Sequence, residues 1–138
     1  MLQRVETRPR GGESEKITIN LGPVDLGQID LLVQEGFYSN RTDFIRTAIR
    51  NQLNPHAEVV RQCVSRQTMV LGLRHYTRSE LEALHESGRQ LAIQVLGLAS
   101  VAHDVSAELA RATIASVHVL GVFQASSAVK SALADRIQ

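Results

Sequence analysis

The residues able to do chemistry in this chain are few, and their spacing says what kind of chemistry is open to them. Lys16, Thr18 and Asn20 recur at every second position. They present in order a cation with three donors, a hydroxyl, and an amide that both donates and accepts. Taken alone, such a row is the solvated side of an amphipathic strand. Asn40, Arg41 and Thr42 stand where a helix is expected to begin, and free N–H groups at a helix start, with the positive end of its dipole, suit an anion. Arg41 can equally be an exposed arginine or a partner of Asp43. Arg46 and Arg50, four apart, read as the solvated or partner-facing side of that helix.

The candidate metal ligands are Cys63, His75, His85, His103 and His118, and their spacings match no ligand pattern. His85 falls in an expected helix and His118 in an expected strand, where packing or solvent accounts for them. No Gly-rich phosphate loop, His/Asp/Ser constellation or pair of acids on one face is present. The expectation is therefore no catalytic residue, no metal and no cofactor.

Around the first set the elements are legible. Residues 1–15 carry Arg4, Arg8 and Arg10 beside Gly11 and Gly12 without periodicity, and are expected to form a flexible arm. From Lys16 the sequence alternates strictly, with Ile17, Ile19 and Leu21 on one side, which predicts a half-buried strand. Gly22 and Pro23 end it, Pro23 suits the first turn of a helix, and Leu26, Ile29, Leu32 and Val33 give that helix one apolar stripe. Gly36 is the expected left-handed cap. A second helix opens at Ser39 or Asn40, buries Phe44, Ile45, Ala48, Ile49 and Leu53, and is closed or kinked at Asn54-Pro55.

One strand and two helices cannot close a core alone. Pairing two copies antiparallel would satisfy both strands and enclose Ile17, Ile19, Leu21, Leu26, Ile29, Phe44, Ile45 and Ile49 between four helices. The dimer is the expected folding unit.

The segment KITINLGPVDLGQIDLLVQEGFYSNRTDFIRTAIRNQL resembles the ribbon-helix-helix repressors of the MetJ/Arc/CopG superfamily. Its most specific parts are KITINL, the loop EGFYSNRTD and the following FIRTAI, whose order is similar to that of CopG-type and nickel-responsive repressors. The resemblance implies a two-stranded ribbon in the DNA major groove, with Lys16, Thr18 and Asn20 of each chain on base edges. Lysine can donate to guanine, asparagine can pair with adenine, and threonine can offer a hydroxyl or methyl contact. It also implies that Asn40, Arg41 and Thr42 anchor the DNA backbone. Residues before Pro55 hold seven acids and seven bases, so affinity must come from placement and from cooperative binding of several dimers rather than from a basic patch.

The second half repeats Val70-Leu71-Gly72-Leu73 as Val95-Leu96-Gly97-Leu98 and Val119-Leu120-Gly121-Val122, at offsets of 25 and 24. Each is followed by a short helical pattern with a cap: Thr77 with Glu80 as a capping box, then Asp104 or Ser106, then Ser126 or Ser127. One strand and one helix per unit reads as a small solenoid-like βα repeat, with a compact α+β domain as the alternative. Open strand edges in such a stack invite pairing with another chain.

The expected architecture is α+β. A flexible arm (1–15) leads into a dimeric ribbon-helix-helix domain (16–54), a linker or helix (55–67), and a βα-repeat domain for oligomerisation or partner docking (68–138). The expected function is a sequence-specific transcriptional repressor that binds double-stranded DNA. It would be a homodimer through its first domain and a higher oligomer through its second. The single cysteine and the unpatterned N-terminus suggest a cytoplasmic, nucleoid-associated setting, and no apolar run is long enough for a membrane. A plasmid partition or antitoxin-type protein with a partner-binding second domain is an alternative, as is an assembly protein whose repeats polymerise.

Overall fold

The computed structural model describes residues 14–138. They fall into two compact units, one of Lys16–Cys63 and one beginning at Val64.

The first unit holds helices α1 (Pro23–Gln34) and α2 (Arg41–Leu53), a 3-10 turn (Asn54–His56), and the start of helix α3 (Ala57–Arg66). Local signals set its helix ends. Pro23 occupies the first turn of α1. Beyond Glu35 the chain turns at Gly36, whose φ of +87° disfavours a side chain. There the Gly36 N–H donates to the Val33 carbonyl (3.1 Å) and the Phe37 N–H to the Leu32 carbonyl (3.0 Å), the paired bonds of a Schellman stop. Asn40 rather than Ser39 caps α2 through its side chain, and Asn54-Pro55 tightens the helix end into the 3-10 turn.

Two expectations for this unit are not met within one chain. Lys16–Leu21 forms no ladder among the described residues, and Ile17, Ile19 and Leu21 are exposed at 74%, 58% and 41%. Of the eight expected core residues only Ile29 is buried; Leu26, Phe44 and Ile45 are half-buried and Ile49 is exposed. Ala48 and Leu53 are exposed as well. The physical reason is the one that motivated the dimer: a single strand has nothing to pair with, and two short helices cannot enclose each other's stripes.

The second unit contains strands β1 (Val70–Tyr76), β2 (Leu91–Val101) and β3 (Ile114–Gln124) alternating with helices α4 (Arg78–Glu86), α5 (Ala107–Thr113) and α6 (Ser127–Ala132). The strands form a parallel sheet in the order β1-β2-β3. The repeat read from the sequence is its register, since Val70 lies opposite Val95 and Val95 opposite Val119. Thr77 and Glu80 form the full capping box of α4, while Ser106 caps α5 and Ser126 caps α6. Leu81 of α4, Ala110 of α5, and Val129 and Leu133 at α6 cover one face of the sheet, burying Ile93, Val95, Ala99, Val101 and Val117 against them.

Candidate nucleic-acid interface

In the first unit Lys16, Thr18 and Asn20 are all exposed, as are Ile17, Ile19 and Leu21 between them. The polar row is therefore open to a ligand and the apolar row to a partner, without either being occupied by the described residues.

The start of α2 is more tightly built. The Asn40 side chain accepts from the Asp43 N–H at 2.8 Å, and the Asp43 carboxylate accepts from the Ser39 N–H at 2.9 Å. These reciprocal bonds fix the loop into the helix, and they commit the Asn40 side chain to capping. The N–H groups of Arg41 and Thr42, in the first turn, have no carbonyl four residues back within the helix. Groups of this kind at a helix start suit an anion.

Arg41 is exposed, and its partner is Asp30 rather than Asp43. Its Nε and an Nη donate to the two Asp30 oxygens at 2.7 and 2.8 Å, a bidentate pair joining α2 to α1. The hydrogen bonds from Arg41, and secondarily its charge, hold the Asp30 carboxyl below its ordinary range, and Asp30 raises Arg41 in return. No spacing in the sequence announces this contact, because eleven residues and a turn separate the partners. Arg46 and Arg50 are exposed. The unit holds five basic and five acidic residues, so it offers no uniform positive field.

Asp30 has a lowered folded-state value, so the pair stabilises the helix junction above the ordinary aspartate range and loses that contribution as pH falls through the lowered value. Asp30→Ala removes an acid and releases Arg41. If the guanidinium can turn to phosphate, duplex affinity rises several-fold at low salt for all sequences, and the slope of log K against log salt steepens by up to about 0.9 for each additional phosphate neutralised. Unchanged affinity and slope in Asp30→Ala would assign Arg41 to the helix junction alone.

In the second unit an open cleft of about 940 Å³ lies beyond the C-terminal ends of the strands, lined by His75, Arg78, Glu82, Ser100, His103 and Gln124 among others. His75 Nδ1 lies 2.7 Å from Ser100 Oγ. His75, Ser100 and Gln124 occupy one row across the sheet, three residues after each repeat glycine. Extending the repeat alignment by three positions would have found them. Among the described residues no three His, Cys, Asp or Glu side chains gather as a metal would need, and no helix is long and apolar enough to cross a membrane.

A model of the Ribbon-Helix-Helix transcriptional regulator family matches residues 12–130, which include both units' principal elements. No curated protein and no solved structure matches the chain.

Proposed function

The chain belongs to the Ribbon-Helix-Helix transcriptional regulator family, and from that premise we propose that it is a sequence-specific repressor acting on double-stranded DNA as a homodimer or higher oligomer. The observation that carries this reading is the segment Lys16–Leu21. Three large aliphatic side chains stand exposed there in alternation with three hydrogen-bonding ones, directly before α1 and α2. Two such segments paired antiparallel would bury Ile17, Ile19 and Leu21 with Leu26, Ile29, Phe44, Ile45 and Ile49, and would present Lys16, Thr18 and Asn20 of both chains to the major groove. The first-turn N–H groups of Arg41 and Thr42 then meet phosphate, with Asn40 holding the turn in shape. The expected arm lies, but for its last two residues, outside the described residues, and the second unit serves as the assembly or partner-docking part.

Base reading and backbone anchoring respond differently to substitution. Asn20→Ala should weaken the preferred site by about 1–3 kcal/mol per lost bidentate contact and leave random duplex nearly unaffected. Binding titrations on operator and scrambled DNA at several salt concentrations measure both terms; the operator itself comes from genomic binding-site mapping with the intact chain. If Lys16, Thr18 and Asn20 can together become alanine without loss of operator preference, the ribbon does not read sequence.

A further inference from the structure

Parallel sheets occur with both faces covered, because their crossover helices and the core leave neither face to water. Among the described residues of this unit, α4, α5 and α6 cover one face only. The opposite face is aliphatic. Alternation places Leu71, Leu96 and Leu120 in one row across it and Leu73, Leu98 and Val122 in another, in register. None of the six belongs to the buried core, and Leu71, Leu73 and Leu120 are exposed at 56%, 65% and 50%. Gln94 and His118 bound this block at one end, and His75, Ser100 and Gln124 bound it at the other. No lysine, arginine or carboxylate stands within it. An apolar centre with a polar rim is the anatomy of a protein interface, and the lack of cations argues against nucleic acid as its cover.

We propose that the uncovered face of the β1-β2-β3 sheet packs on the same face of a second copy of this chain, sheet on sheet. The inference rests on the dimeric reading of the first unit and names what the second unit does with it. Three strands about 4.8 Å apart and about five residues long give a face of roughly 250 Å² in projection. A freestanding complex buries about 800 Å² per partner, so this face cannot hold two unlinked chains. It does not need to. Chains tethered through their first units meet at effective concentrations on the order of millimolar, where a small apolar contact suffices. An uncharged, aliphatic block can meet its own copy about a two-fold axis without opposing like charges, and sheets so packed lie about 10 Å apart with their side chains interdigitated.

The test uses the full chain carrying Cys63→Ser and Leu98→Cys, treated with a short bismaleimide. Leu98 lies on the central strand, so it falls near the axis of an isologous contact. Two chains should be joined through residue 98, and adding Leu73→Glu with Leu120→Glu should lower the joined fraction by about tenfold or more, since charges would be buried face to face. Leu73→Ser with Leu120→Ser, a milder pair at the same exposed sites, should lower it with the far-UV melting transition intact. No joining at residue 98, or joining indifferent to both pairs, overturns the proposal. So does a residue 98 thiol that alkylates slowly yet never joins two chains, which would mean a cover from elsewhere, such as residues 1–13 or another protein. Assembly beyond the dimer by sedimentation without joining at residue 98 would overturn it in favour of edge pairing. The same samples are titrated with duplex DNA. Joining at residue 98 in a chain that binds no DNA would defeat the regulatory reading and leave this contact standing.

Discussion

Ile19→Lys is expected to abolish dimerisation of the intact chain and to weaken operator binding by roughly 100-fold or more, where each tenfold corresponds to about 1.4 kcal/mol. In a single chain this substitution should be nearly silent, because Ile19 is 58% exposed and meets no ladder among the described residues. In a paired ribbon it would place two ammonium groups, one from each chain, into the centre of the shared core. An uncompensated buried charge costs several kcal/mol, enough to consume most of the stability of a small dimer. The contrast between the two cases is what gives the experiment its force. Sedimentation at micromolar concentration reports the dimer, and titration with operator DNA reports function; Thr18→Ala, on the opposite side of the same segment, should retain the dimer. A variant that keeps both its mass and its affinity would sink the ribbon core and the base-reading model that depends on it.

Gly97→Ala and Gly121→Ala should each be severely destabilising to the second unit. Gly72, Gly97 and Gly121 lie in one row across the sheet with φ of +131°, +138° and +124°. A Cβ at Gly97 would stand 2.1 Å from the Gly72 carbonyl oxygen, and one at Gly121 would stand 2.1 Å from the Gly97 oxygen. Backbone, unlike a flexible side chain, cannot move aside without breaking the ladder. A Cβ at Gly72 meets nothing within 4 Å, so only its conformation is penalised. Gly72→Ala should therefore cost about 1–3 kcal/mol. Gly97→Ala and Gly121→Ala should cost about 4 kcal/mol or more, in the range reserved for severe steric conflict. Chemical unfolding of the three variants, followed by far-UV circular dichroism, gives the order directly. Equal losses at Gly72 and Gly97 would show that the close carbonyl approach is not what selects glycine in this row.

These two predictions draw on different levels of the molecule, and so does what the sequence reveals. Signals that act within one turn of chain are legible, to within the choice between neighbouring cap residues such as Ser39 and Asn40. Pro23, Gly36 and Asn40 bound their helices as residue type demands, and Thr77 with Glu80 closes the capping box that its spacing announces. The two repeat offsets reappear as strand register, because equivalent residues of successive βα units occupy equivalent places in a sheet. The alternation of Lys16–Leu21 is equally plain, yet it specifies a strand only where a partner supplies the ladder, and one chain does not.

Contacts between elements belong to the tertiary structure. The choice of Asp30 over Asp43 for Arg41 follows from how α1 and α2 pack, and with it the difference between a guanidinium aimed at phosphate and one tied to a neighbouring helix. The steric need for glycine at Gly97 and Gly121 depends on a carbonyl 25 or 24 residues away. The bare aliphatic face emerges only when two crossovers and the closing α6 place their helices on one side, since Leu96 and Ile93 look alike in sequence while only Ile93 is buried. Residue type and short spacing therefore determined where each element begins, ends and turns, because propensity and capping are local. Which side chains meet, and which surface is left to a second molecule, was decided by packing, because burial depends on neighbours distant in the chain.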